Sequence, residues 1–265
     1  MRRMRRRPGA VTLTAMSAVR TEAFSLALEV PAQGNVSALL TTPVPTDASS
    51  QAALQAALRA AFVLAHGAGA GMTHPFMEQL SLALAGRCIA TLRFQFPFME
   101  RGSKRPDPPA VAQAAVRAAV AEAARRLPGL PLIAGGKSFG GRMSSQAQAA
   151  AALPGVRGLV FVGFPLHPAG RPGTERADHL DRVTTPMLFL QGTRDELADL
   201  GLVRQVVARL GERATLEVFD DANHAFHVRA RVSGTNDARV LARLAEVIAA
   251  WAAALGGEAA APRQA

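Results

Sequence analysis

Four short segments carry the residue types that chemistry needs. The first is Gly136-Lys137-Ser138-Phe139-Gly140-Gly141, a serine with glycine two positions to either side. Free serine is a poor nucleophile and needs a base within hydrogen-bond reach. On a sharp strand-to-helix turn its hydroxyl stands clear of the chain, and the helix N-terminus aims N–H groups at a developing oxyanion. Without that chemistry, the same segment is a glycine-rich turn whose serine caps a helix. The second segment is Gly192-Thr193-Arg194-Asp195. An acid there can receive the Nδ1–H of a histidine and fix its tautomer. Glu196 and Asp199 compete with Asp195, and a capping Asp is the plainer reading. The third, Ala222-Asn223-His224-Ala225-Phe226, offers a histidine as base, with His227 as competitor. The fourth is His66-Gly67-Ala68-Gly69-Ala70-Gly71. Its small residues let main-chain amides approach a reacting carbonyl oxygen. It lacks the Lys of a P-loop and the spacing of a dinucleotide loop. His66 is expected to hold this loop rather than react.

These segments matter only if strands deliver them to one place. Residues 22–30 and 36–40 read as two early strands joined by a turn at Pro31-Ala-Gln-Gly34. A Pro/Thr/Ser-rich loop follows over 41–51. Short apolar runs at 61–65, 88–94, 131–135, 158–163, 186–191 and 214–219 predict buried strands. Helices are predicted at 74–86, with Phe76, Leu80 and Leu84 on one face, and at 110–127, 139–152, 197–210 and 235–255. Pro128-Gly129 stops the second of these, and Trp251 in the last packs on the body. Polar loops are expected over 101–109 and 164–181. Alternating strands and helices imply a parallel sheet covered on both faces, in one domain over 21–255. Such sheets bind ligands beyond the carboxyl ends of their strands. All four segments follow a predicted strand, in the chain order serine, acid, histidine for Ser138, Asp195 and His224.

Composition narrows the alternatives. The 265 residues are 49% apolar and 19% charged, which excludes a wholly disordered chain. The single cysteine, Cys88, excludes an intrachain disulfide and any multi-cysteine metal site within one chain. There is no tyrosine to act as acid or nucleophile. The net charge of +10 invites a nucleic-acid reading. Five of those charges are Arg2, Arg3, Arg5, Arg6 and Arg7, and all basic residues except Lys104 and Lys137 are arginine. Aromatic residues are only 5%, without the basic–aromatic interleaving of an RNA-binding sheet. No nucleic-acid partner is expected. The long Ala-rich runs carry Arg and Glu, so no membrane span is expected. The basic start followed by a mildly apolar, threonine-broken stretch resembles an export signal, but reads better as a disordered tail over 1–20, with Met16 as an alternative start. Residues 256–265 are expected to form a loose tail. The expected location is cytoplasmic.

The motif run resembles the α/β-hydrolase superfamily, and within it a dienelactone-hydrolase-like branch. That branch includes testis-expressed-type proteins and a regulatory subunit of a histone-acetyltransferase complex. The residues that carry the resemblance are His66-Gly-Ala-Gly-Ala-Gly-Met72, Arg93-Phe-Gln-Phe-Pro97, Gly135-Gly-Lys-Ser-Phe-Gly-Gly-Arg142, Gly163-Phe-Pro-Leu-His-Pro168, Gln191-Gly-Thr-Arg-Asp195 and Ala222-Asn-His-Ala-Phe226. It spans roughly residues 20–255. It implies the α/β-hydrolase fold, a mostly parallel central sheet with helices on both faces and antiparallel N-terminal strands. It also implies Ser138 as nucleophile, His224 as base, Asp195 as orienter, and main-chain amides near Ala68 and Phe139 as oxyanion donors. Dienelactone hydrolases carry cysteine where this chain has Ser138. Some members of the branch serve as complex subunits rather than enzymes.

The expected activity is hydrolysis of an ester, thioester or small amide on a small acyl substrate, with neither cofactor nor metal. A catalytically silent interaction module of the same fold is the alternative. The loop over 164–181 is expected to roof the site, with His167, Arg171, Arg176 and His179 as a basic lining favouring acidic substrates. Lys137 and Arg142 are read as surface or loop-anchoring residues. No core-forming pattern begins before Thr21. Deleting residues 1–15 should therefore leave the thermal midpoint within error; a large drop would show that this segment docks on the fold.

Overall fold

The computed structural model describes residues 18–28, 34–44 and 57–257. The segment before Ala18, most of the turn at 31–34, the loop from 45 to 56 and the segment after Gly257 lie outside them. The tail expected over 1–20 and that over 256–265 fall largely there.

The architecture follows from how the apolar runs alternate. Strand β1 (Ala18–Ala27) pairs antiparallel with β2 (Asn35–Val44). Then come β3 (Ala60–Ala65), helix α1 (Pro75–Ala85), β4 (Ile89–Phe94), a one-turn helix α2 (Pro97–Glu100) and α3 (Pro109–Arg126). β5 (Leu132–Lys137) leads into α4 (Phe139–Ala150), and β6 (Val156–Val162) into a loop holding a 3-10 helix, Glu175–Arg182. β7 (Met187–Arg194), α5 (Leu200–Leu210), β8 (Ala214–Asn223), a short α6 (Ala230–Ser233) and α7 (Asp237–Gly257) complete the described chain.

The eight strands form one sheet in the order β1-β2-β4-β3-β5-β6-β7-β8. β2 pairs antiparallel with β4, and every pairing from β4 to β8 is parallel. Successive strand side chains point to opposite faces, so a fully buried strand feeds two cores. In β3, Ala61, Val63 and Ala65 enter the core beneath α3, α4 and α5. Ala60, Phe62 and Leu64 enter the other, beneath α1 and α7. Trp251 of α7 lies over Gly158 of β6, as its position in the closing helix predicted. β1 is tied to α3 by an Arg126–Glu22 ion pair at 2.8 Å, with the Arg126 guanidinium 3.7 Å above the Phe24 ring.

Several elements differ from their sequence patterns. The first strand begins at Ala18, inside the expected tail, and the second runs on through Thr41–Val44 of the expected loop. Cross-strand pairing outweighs the low strand propensity of Pro43 there. β8 continues four residues past Phe219, because a register shift opposite Gly192 lets Asn223 pair with Arg194. The acidic pair Asp220-Asp221 masked that extension. β5 runs through both glycines to Lys137. A Cβ on Gly135 would lie 2.0 Å from the Val160 oxygen, and one on Gly136 would lie 2.0 Å from the Ala65 oxygen.

The sheet order reverses at β3, which has β4 on one side and β5 on the other. Crevices for ligands open at such points, beyond the carboxyl ends of the strands. The loop after β3 and the turn after β5 meet there. A Cβ on Gly140, in the first turn of α4, would lie 2.5 Å from the Ala65 oxygen. Gly140→Ala must push α4 off β3, and overpacking of this kind costs about 1–3 kcal/mol. Urea unfolding should show that loss; an unchanged midpoint would mean α4 is not pinned at this contact.

Candidate active site

Ser138 sits where β5 becomes α4, with φ 49° and ψ −114°. Non-glycine residues avoid this region unless the surroundings impose it. Here its N–H is held by the Val162 oxygen at 3.1 Å, while its carbonyl accepts the Arg142 N–H at 3.1 Å. The side chain caps no helix N–H. It turns instead to His224, whose Nε2 lies 2.8 Å from Ser138 Oγ. The His224 Nδ1 lies 2.8 Å and 2.9 Å from the two carboxylate oxygens of Asp195. A carboxylate only accepts, so the His224 tautomer that fits this geometry carries its proton on Nδ1 and leaves Nε2 to accept the serine O–H.

Asp195 is buried and fully engaged. Besides His224, it accepts Gln191 Nε2 at 2.6 Å and the Leu197 N–H at 2.9 Å. Gln191 is itself buried, and its Oε1 has no partner among the described residues. Its placement orients the carboxylate, a role its apolar strand concealed. The competing acids do other work. Asp199 caps α5 through the Leu202 N–H, and Glu196 is exposed. The competing histidine, His227, is exposed and 2.6 Å from Asp237, on the far side of its turn.

His224 rides on a turn that its neighbours fix. Asn223 Oδ1 accepts the N–H groups of Ala225 and His227, each at 3.0 Å, and Phe226 takes φ 64°. The end of β8 is braced from outside by Thr193 Oγ1, which accepts the Asp221 N–H at 2.9 Å, and by Arg229. Hydrogen bonds from Arg229 hold the Asp221 carboxyl down to about 2.

The loop after β3 is organised by His66, which is wholly buried. Its Nδ1–H donates to the Gly67 oxygen at 2.7 Å, and its Nε2 accepts the Phe96 N–H at 2.9 Å. Turning the Gly67 carbonyl inward turns the Ala68 N–H of the same trans peptide the opposite way. Gln95 Oε1 accepts the Met72 N–H at 2.9 Å, and Arg93 donates to the Met72 oxygen at 2.9 Å. The segment from Arg93 to Phe96 therefore fastens the loop at both ends. His66 holds the loop, as its sequence context predicted.

A cavity of about 280 Å³ opens beside Ser138 and His224. The 67–70 loop forms one wall, with His74, Phe76 and Met77 around α1 and Ala225 forming others. The expected basic lining is not there. His167 is a buried strut, its Nε2 accepting the Asp199 N–H at 2.8 Å and its Nδ1 donating to the Pro168 oxygen at 2.9 Å. His179 faces Ser145 at 2.7 Å, and Arg176 points to the Pro165 oxygen. The 3-10 helix that ends this segment packs it against α4, which draws these side chains away from the cavity. Of the two readings of Lys137, surface or loop-anchoring, the structure shows the second. Its stem lines the cavity, and its Nζ donates to the His224 oxygen at 2.5 Å.

The sheet order, the turn at Ser138 and the assembled serine–histidine–carboxylate chain define an α/β hydrolase. The chain belongs to the family of the alpha/beta hydrolase domain, which it matches over residues 58–253. It is similar in fold to an alpha-beta serine hydrolase homologue from Coxiella burnetii, at TM-score 0.63 and 20% identity, covering 86% of this chain and 95% of that one. A lidless serine hydrolase from Xanthomonas campestris matches at TM-score 0.60 and 23% identity, covering 84% of this chain and 94% of that one. A dienelactone hydrolase from Anabaena variabilis matches at 0.64 and 17%, covering 88% and 96%. Among the described residues no helix is long and apolar enough to cross a membrane, and no His/Cys/Asp/Glu cluster is arranged to hold a metal.

Burial pulls His66 down from its ordinary value of 6.5 to about 4. Burial and the nearby Arg142 and Arg182 do the same to His179. The unfolded chain binds more protons than the fold between pH 6.5 and 4, so stability is full above that window and falls as pH drops through it. His66 alone makes the loss about 3 kcal/mol. Urea midpoints at pH 7, 5.5 and 4.5 should decline in that order; a flat series would mean these imidazoles are protonated in the fold.

Proposed function

We propose that this protein is a serine hydrolase that cleaves an ester, thioester or small amide through an acyl-enzyme. The observation that carries this is the continuous chain from Ser138 Oγ to His224 Nε2 and from His224 Nδ1 to Asp195, at the mouth of a cavity. In the proposed mechanism, His224 takes the proton as Ser138 Oγ attacks the acyl carbon. Asp195 stabilises the imidazolium without itself becoming protonated. The main-chain N–H groups of Ala68 and Phe139 receive the oxyanion, the second helped by the N-terminus of α4. His224 then returns the proton to the leaving group, which departs and leaves the acyl group on Ser138. Water activated by the same histidine releases it.

The cavity speaks to the acyl group. At about 280 Å³ it lies just below the range of ordinary ligand pockets. Besides Ser138 and His224, its walls are mostly glycine, alanine, phenylalanine and methionine, with His74 and Lys137 the polar exceptions, and the 164–181 segment adds no arginine to them. The substrate we infer is therefore compact and apolar rather than acidic. The likeness to the dienelactone-hydrolase-like branch rests on the motif run and supports the same reaction class.

A fluorophosphonate probe should label the folded protein once. Ser138→Ala should abolish labelling, and His224→Ala should slow it by about 10³-fold or more. Asp195→Asn should slow it as well, by favouring the wrong imidazole tautomer. Across a panel of acyl esters, hydrolysis should fall as the acyl chain lengthens beyond about six carbons. Labelling that survives Ser138→Ala would reject the nucleophile, and no labelling at all would leave the silent interaction module.

A further inference from the structure

Lys137 stands out because its position is costly. Its ammonium is buried, and Asp195, the carboxylate whose charge it feels, is already committed to His224, Gln191 and the Leu197 N–H. No salt bridge to Lys137 is formed among the described residues. A largely desolvated cation whose hydrogen-bond partner among the described residues is a single main-chain oxygen opposes stability, so its presence calls for another reason. The surroundings leave room for it. Gly163 at the end of β6 has φ 70°, and a Cβ there would lie 3.2 Å from Nζ. The Phe226 ring centre, on the turn that carries His224, is 5.6 Å away.

The geometry points to Lys137 as the positioning residue that locks the base to the nucleophile, by binding the His224 carbonyl from the residue next to Ser138. This rests on the serine-hydrolase reading above. His224 must keep Nδ1 on Asp195 and Nε2 on Ser138 together. Its backbone lies on a turn beyond the end of β8, and the side-chain bonds of Asn223 are local to that turn. Lys137 adds a tie across the sheet, from the last residue of β5 to the main chain of the base. One short span of chain thus sets the nucleophile and the seat of its partner. Burial lowers the Lys137 ammonium to about 8, against the opposing pull of Asp195. Below that pH the tie is a charge-assisted hydrogen bond; above it, the neutral amine makes a bond of roughly half the strength. The groups facing Nζ are the Asp195 carboxylate from the end of β7 and the His224 carbonyl and Phe226 ring from the turn after β8.

The test compares Lys137→Met, which keeps the stem and removes the donor, with Lys137→Gln, which keeps a neutral donor. Each is assayed for hydrolysis of a short acyl ester across pH 6–10, with thermal midpoints recorded alongside. In Lys137→Met, kcat should fall on the order of 10- to 100-fold, the scale of a small misplacement, with KM within about threefold. Lys137→Gln should lie between it and the native protein. The native rate should decline as pH rises through about 8, and neither variant should show that decline. A native kcat and an unchanged alkaline decline in a folded Lys137→Met would overturn the inference. So would a kcat loss fully accounted for by a lowered thermal midpoint. If the native protein is not labelled by a fluorophosphonate at Ser138, the hydrolase reading and this inference fall together. Labelling of the native protein at the rate of Lys137→Met overturns the tie alone.

Discussion

The turn between β5 and α4 is the constraint to which every part of the site refers. Ser138 is held at φ 49°, and two glycines press the main chain on either side of it against β3. The Ala65 carbonyl sits where a side chain on Gly136 or Gly140 would be. That contact draws the start of α4 against the loop after β3, so Ser138 and Ala68 line one crevice. The strain at Ser138 is sustained because parallel pairing with β3 and β6 fixes β5 on both sides.

Around this turn, polar groups are buried in pairs that leave little freedom. His66 binds one carbonyl and one N–H, which sets the peptide between Gly67 and Ala68, while burial keeps it neutral. Gln191 and the Leu197 N–H hold the Asp195 carboxylate while His224 binds it. His167 ties the loop after β6 to the segment following Asp195. Each bond is modest alone, about 1 kcal/mol net, but loss of one partner would strand the other in a dry interior. The network thus supplies rigidity to the site more than stability to the fold.

The lining of the crevice follows from where the fold sends its side chains. The long connection after β6 could have roofed the crevice with basic side chains. Its 3-10 helix instead packs on α4, where His179 meets Ser145 and Arg176 turns to a carbonyl. The crevice is left mostly to small and apolar residues from the loop after β3 and from α1, with His74 and Lys137 beside them.

Sequence alone determined the elements and the order of the reactive types. Period-2 burial, apolar runs and helix stops are local properties, and so is the strand–turn–helix setting of Ser138. The glycine-rich loop after β3 and the loop-holding role of His66 were legible for the same reason. Tertiary structure alone decided among equals. Apart from the resemblance of their motifs, nothing local separates Asp195 from Asp199, or His224 from His227; the structure makes the choice by contacts spanning 29 and 86 positions of chain. The role of Gln191 was hidden in its apolar run, and which loop Lys137 anchors was set only when the fold brought the turn of His224 to the end of β5. The arginines and histidines of the 164–181 segment looked like a binding surface until packing turned them away. Side-chain type is written in the sequence, but which groups meet is set by how the strands pair and where their loops are drawn.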